Sequence, residues 1–245
     1  MYAERPPGPD LAGRVACTWR QVSETGSTQL VVPDGCVDLI WGPEGLFVAG
    51  PDTGPMPTPM AAGDTFAGIR FKPGAVGDFF GVPPHELRDQ RVPLSDLPAV
   101  RVPEPGAVRG PDNGPESGPE LERRLEALRS AVCERLATSP GVEPATYAIV
   151  RALRSGRGVA EVAWNLGYSE RQLHRRSVAA FGYPPKTLQR VVRFQRALRL
   201  ARAGVPLAEV AARAGYTDQA HLSHDVKRLS GMPMRRLVSP LGQPA

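Results

Sequence analysis

The sequence predicts an α+β protein of two domains, a β-rich N-terminal half and an all-helical C-terminal half built on two helix-turn-helix units. Three observations carry that prediction. Short runs of β-branched and aromatic residues separated by Gly/Pro turns fill residues 11–98, whereas from residue 120 apolar residues recur at helical intervals. The charge changes sign along the chain: residues 1–142 hold 13 Lys/Arg against 19 Asp/Glu, and residues 143–245 hold 17 against 6, balances of −6 and +11. The stretches VAEVAWNLGYS (159–169) and LAEVAARAGYT (207–217) align without a gap, sharing Ala-Glu-Val-Ala and Gly-Tyr before a Ser faces a Thr.

In chain order, RVACTWRQV, QLVVPDGCVDLIW, GLFVAG and DTFAGIRFKPG read as strands, bounded or interrupted by turn residues. Closely spaced short strands point to a barrel or sandwich over residues 1–98. Short helices are expected at AVGDFF and around PPHELRD. The stretch VPEPGAVRGPDNGPESGP is nearly devoid of apolar residues and reads as a flexible linker, assigned to 99–119. After it, ELERRLEALRSAVCERLA spaces Leu121, Leu125, Leu128, Val132 and Leu136 along one face of a connecting helix, 120–138. Packing against a domain is favoured for that face over a dimer contact.

Helices are expected near 144–154, 159–166, 170–181, 186–203, 207–214, 218–229 and 233–238, within a domain spanning 143–240. The two helix-turn-helix motifs fall at 159–181 and 207–229. In the first, Val159, Val162, Ala163 and Leu166 share a face, Gly167 suits the turn, and Ser169 with Gln172 forms a capping box. Leu173, Ser177, Ala180 and Phe181 then point inward, leaving Arg171, His174, Arg175 and Val178 outward. In the second, Leu222, Val226 and Leu229 form the inward stripe after a Thr217 cap, with Gln219, Ala220, Ser223, His224 and Lys227 exposed. Amides and hydroxyls suit base edges, and cations suit phosphates. The helix between the units, about 18 residues at ~1.5 Å rise, spans roughly 27 Å, comparable with the ~34 Å between successive major-groove faces. Arg190, Arg193, Arg196, Arg199 and Arg202 recur along it, most of them expected on a solvated face.

The stretch from VAEVAWNLGYSERQLHRR through GYPPKTL, RFQRAL and GYTDQAHLS to GMP resembles the C-terminal DNA-binding domain of AraC-family transcription regulators over about 95 residues. That resemblance implies base contacts from the second helix of each motif, here Arg171, His174 and Arg175, then Gln219, Ser223 and His224, with Lys227 on the same stripe. Ser177 and Val226 stand where the family commonly has aromatics, which implies helices seated less firmly, and His224 stands where Arg is common. VVPDGCVDLIW, AGPDTGP and GIRFKPGAVGDFFGVPPHELRDQRVPL resemble the N-terminal domain that often precedes it, implying a cupin-like barrel that senses a small molecule or mediates dimerisation. The reading is therefore a cytoplasmic, sequence-specific regulator of transcription without cofactor, metal or catalytic residues. Its expected partner is a double-stranded DNA operator. A small-molecule effector, RNA polymerase and a second copy of the chain are candidate partners, and no membrane is.

Two other classes fit less well. A DNA-repair methyl acceptor needs clustered cysteines, whereas Cys17, Cys36 and Cys133 are widely spaced and Cys36 lies between two acids. A ligand-independent packaging protein has no use for a separate β-rich domain. His221, His224 and Asp225 share a helix face, but DNA contact is favoured there over a metal. Asp34 and Asp38 are assigned turn and strand-end roles ahead of a pocket role. No secretory leader or run of about 18 apolar residues is evident.

Overall fold

The computed structural model describes residues 1–103 and 118–239; most of the expected linker lies outside the described residues. The N-terminal half contains β1 (Tyr2–Arg5), β2 (Val15–Val22), β3 (Ser27–Val31), β4 (Val37–Gly42), β5 (Gly45–Ala49), β6 (Met56–Met60), β7 (Thr65–Phe71) and β8 (Arg91–Pro93). Six of them form an antiparallel sheet in the order β1-β2-β7-β4-β5-β8, and β3 pairs with β6 as a separate ribbon. The six-stranded sheet stays open, with β1 and β8 as edges.

Strand alternation divides this sheet into two faces with different tasks. Val37 and Leu39, Val48, and Ala67, Ile69 and Phe71 point to one side, where they are almost fully buried. The helix α1 (Gly118–Thr138) lies over that side and adds Leu121, Leu125, Leu128 and Val132 to the same core. A fully buried Leu of this kind contributes about 1.5–3 kcal/mol, so this helix is held by tertiary burial. Leu94, Leu97 and Val100 belong to that core too. The opposite face carries Trp19, Asp38, Ile40, Phe66 and Arg70 and looks toward the ribbon.

The helices expected at AVGDFF and PPHELRD are turns. Neighbouring Phe79 and Phe80 are both fully buried, their rings 4.9 and 5.9 Å from that of Phe71. A helix would rotate one of two neighbours away by roughly 100°. Around Pro83 and Pro84 the paired prolines favour extended backbone over helix.

The C-terminal half comprises α2 (Pro144–Arg154), α3 (Val159–Asn165), α4 (Glu170–Phe181), α5 (Pro185–Arg202), α6 (Leu207–Ala214), α7 (Gln219–Ser230) and α8 (Met234–Val238). It has two cores joined by α5. Leu188 and Val192 pack with Ile149, Val162, Leu173 and Phe181, while Phe194, Ala197 and Leu198 pack with Val210, Leu222 and Val226. One helix thus serves as the floor of both units and fixes their relative position.

The two halves touch through specific contacts. Gln195 Nε2 on α5 donates to the Pro33 carbonyl at 2.7 Å, Tyr147 Oη donates to the Gly13 carbonyl at 3.0 Å, and Arg88 Nη1 donates to the Gly182 carbonyl at 3.3 Å. Val32, just beyond β3, packs against the second helical core.

Candidate nucleic-acid interface and interdomain cavity

In the first unit the chain leaves α3 through Gly167, whose φ of 68° lies in the left-handed region that favours glycine. Ser169 then caps α4: its Oγ accepts from Gln172 N–H at 3.2 Å, while Gln172 Oε1 accepts from Ser169 N–H at 2.8 Å. This capping box satisfies two otherwise orphaned donors and starts the helix at a fixed residue. Leu173, Ser177 and Phe181 are buried behind it. Ser177 is seated firmly: its Oγ, fully buried, donates to the Tyr183 carbonyl at 2.9 Å. The fully buried Tyr183 supplies, from the following loop, an aromatic ring to the same core.

The second unit turns at Gly215, φ 83°. Its cap is Asp218, not Thr217: Asp218 Oδ1 accepts from His221 N–H at 2.7 Å, and α7 begins one residue after it. Thr217 lies against His221 instead, its N–H donating to Nδ1 at 3.4 Å. Asp225 is buried at 5 % exposure and joined to Arg193 Nη2 at 2.8 Å and Arg190 Nε at 3.5 Å. Arg193 also lies over the Tyr216 ring, 4.3 Å from its centre. These two cations of α5 therefore seat α7. Asp225 with His221 and His224 makes no metal cluster, and none is found among the described residues.

Arg171, His174 and Arg175 on α4 and Gln219, Ser223, His224 and Lys227 on α7 are all exposed. None of the cations or histidines among them has an ion-pair partner among the described residues, and Ser223 Oγ donates to the Gln219 carbonyl at 2.8 Å. His174 and Arg175 also border a groove of about 730 Å³ whose far wall is Val82, Pro83, Pro84 and His85 of the N-terminal half.

A second feature lies between the halves, a cavity of about 680 Å³ bounded by the open sheet face, the β3–β6 ribbon, and Gln195, Leu198 and Arg202 of α5. On its floor Trp19 lies across Gly68, the residue opposite it on β7; a Cβ there would sit 2.3 Å from the indole, so only glycine fits. Trp19 Nε1 donates to Asp38 Oδ1 at 2.7 Å, and Arg70 Nε donates to the same oxygen at 3.1 Å. Asp38 and Arg70 are direct cross-strand partners. Burial raises the Asp38 carboxyl to about 6, against the pull of Arg70. Asp34 fills its turn role, Oδ1 accepting from Cys36 N–H at 2.8 Å, yet both aspartates also line the cavity. Sequence reasoning placed a pocket role for Asp34 and Asp38 behind turn and strand-end roles and did not bring in Trp19 or Arg70; the signal was the VDLIW alternation, which places Asp38 beside Ile40 on one strand face. Burial holds all three thiols protonated, Cys17 at about 11, Cys36 well above its ordinary range and Cys133 raised. That disfavours a thiolate nucleophile.

An open antiparallel sheet domain is followed by two capped helix-turn-helix units on a shared helix, the arrangement of a DNA-binding module. Residues 162–238 match a family described as a helix-turn-helix domain, and residues 3–93 match a domain of unknown function, DUF6597. The chain thus carries a helix-turn-helix domain behind a DUF6597 domain. Among solved structures it is similar to ToxT from Vibrio cholerae O395, at 10 % identity over 92 % of this chain and 97 % of that one, with a TM-score of 0.48. It is likewise similar to unsaturated fatty acid bound wild-type ToxT from Vibrio cholerae strain SCE256, at 11 % identity over 98 % of this chain and 99 % of that one, with a TM-score of 0.47. No match was found among curated proteins. No helix among the described residues is long and apolar enough to cross a membrane.

Proposed function

We propose that this protein is a sequence-specific regulator of transcription that reads an operator with α4 and α7 and is controlled through its N-terminal half. The observation that carries the reading is the pair of exposed stripes, Arg171, His174 and Arg175 on one helix and Gln219, Ser223, His224 and Lys227 on the other, projected from capped helices on one rigid rod. The cationic stripe anchors on phosphate and guanine, and the amide- and hydroxyl-bearing stripe discriminates. Control is by a small molecule in the interdomain cavity, with self-association and contact to RNA polymerase as further steps. Selection of bound fragments from genomic DNA with the full-length chain tests this. Recovery of one shared motif supports it; recovery of fragments without a common sequence would refute it.

A further inference from the structure

The lining of the interdomain cavity carries four carboxylates, Asp34, Asp38, Glu44 and Asp52, against three guanidinium groups, Arg70 and Arg91 on the sheet and Arg202 on the α5 wall. Arg70 is approached by two lining acids, Asp38 at 3.1 Å and Asp34 at 3.7 Å, and by Glu4, from outside the lining, at 3.5 Å, three acids around one guanidinium. The other buried pair contributes no spare cation, because Arg91 binds Asp52 through two bonds of 2.9 and 2.8 Å. Asp38 is buried, its polar partners among the described residues are Trp19 and Arg70, and Arg70 is shared with two further acids, so its charge is under-compensated. Around this acidic floor stand aromatic and aliphatic groups, Trp19, Phe47, Phe66, Ile40 and Met60. Acids beside aromatic faces attract organic cations and repel carboxylates. The volume, about 680 Å³, falls within the ordinary range for a small-molecule site.

We propose that the cavity takes an organic cation, an amine or guanidine on an aromatic or aliphatic body, with the charged group at Asp38 and Asp34 and the body against Trp19 and Phe66. This inference rests on the reading of the chain as an effector-controlled regulator and names the class of effector. The turn bearing Asp34 and Cys36 is also where the DNA-binding half takes hold. Gln195 Nε2 grips Pro33, and the Tyr183 hydroxyl, buried and without a hydrogen-bond partner among the described residues, lies against Gly35, where a Cβ would sit 3.1 Å from it. A cation pulling on Asp34 shifts this turn, and with it α5 and the α4–α5 loop, so occupancy reaches both recognition helices.

Calorimetry on the full-length chain with 4-phenylbutylamine, 4-phenylbutanol and 4-phenylbutanoate, which differ in the head group, tests the class directly. The amine is expected to bind at least about tenfold tighter than the carboxylate, with the alcohol between them, and Asp38→Asn to remove the amine's advantage. Ile40→Trp, which fills the cavity while leaving its charges, is expected to abolish binding of all three, and supplies a second variant if Asp38→Asn fails to fold. Equal or tighter binding of the carboxylate, or no binding of the amine at millimolar concentration, would overturn the proposal. Operator affinity measured with and without saturating amine tests the coupling: a change of at least about threefold is expected, shrinking in Tyr183→Phe, which lies outside the cavity lining, while amine binding persists. A carboxylate that binds and shifts operator affinity would overturn the cation assignment and leave the effector reading standing. Absence of operator binding both with and without saturating amine would overturn the effector reading, while the calorimetric ranking still decides the ligand class.

Discussion

Ser177 and Asp38 are buried polar residues with opposite fates. The Ser177 hydroxyl has its partner in the Tyr183 carbonyl, at 2.9 Å, so it fastens the α4–α5 loop to the recognition helix. Replacing it by alanine leaves that carbonyl without its partner, and Ser177→Ala is expected to lower unfolding free energy by about 1–3 kcal/mol in urea titration. A change below a few tenths of a kcal/mol would mean water replaces the hydroxyl. Asp38 is less well compensated, and its folded-state value of about 6 exceeds the ordinary 3.8. The native state therefore takes up a proton between pH 6 and 4 while the unfolded chain does not, so this group's contribution to stability rises as pH falls through that window. It is lost, by roughly 3 kcal/mol, as pH climbs past 6. Trp19 reports the event directly, since its Nε1 donates to Asp38 Oδ1. In a Trp41→Phe, Trp164→Phe background, its fluorescence is expected to titrate with a midpoint near pH 6, and the transition is expected to vanish in Asp38→Asn.

Among the elements, the parts of the fold legible in the sequence were those decided locally. The Ser169–Gln172 box, the glycine turns and the 3.6-residue spacing of Leu173 and Phe181 each lie within a few residues, and α4 begins where they place it. Asp218 displaced Thr217 as the α7 cap because both residues are good caps side by side, and only the direction of the chain after Gly215 chooses between them. The exposed stripes could be read for the same local reason. What could not be read were pairings between distant segments. Asp225 meets Arg193 across 32 residues, and Asp38 meets Arg70 across 32 more in another domain, each through packing that no periodicity reports. The arginine repeat of α5 looked like one solvated face, yet Arg190 and Arg193 are tied to Asp225 and Arg202 borders the cavity. Asp225→Ala leaves two partly buried guanidinium groups without their anion and is expected to destabilise by about 3–5 kcal/mol. Hydrogen exchange is expected to show the loss first in α7, with α4 still protected; uniform loss along both units would show that the pair holds more than the second motif.

For the whole molecule, the proposed function makes the helical half both reader and lid. Its rod α5 joins the two helix-turn-helix units, and its residues Gln195, Leu198 and Arg202 close the cavity of the sheet domain. The proposed control of DNA binding then requires no new surface, only a change in how the Pro33 to Cys36 turn is held. The net +11 of residues 143–245 makes phosphate neutralisation the larger share of affinity, and log Kd is expected to rise linearly with log salt. In the proposed reading, specificity rests instead on the two stripes. The most direct measurement of that claim is equilibrium binding of the full-length protein, at one fixed salt concentration, to its selected operator and to randomised DNA of equal length. The operator is expected to bind at least ~10³-fold tighter, and Arg175→Ala to lose about 1–3 kcal/mol of operator affinity with preference relaxed at one base position. Equal affinity for the two DNAs, or an Arg175→Ala variant weakened equally on both, would contradict the assignment of α4 as a reader of sequence.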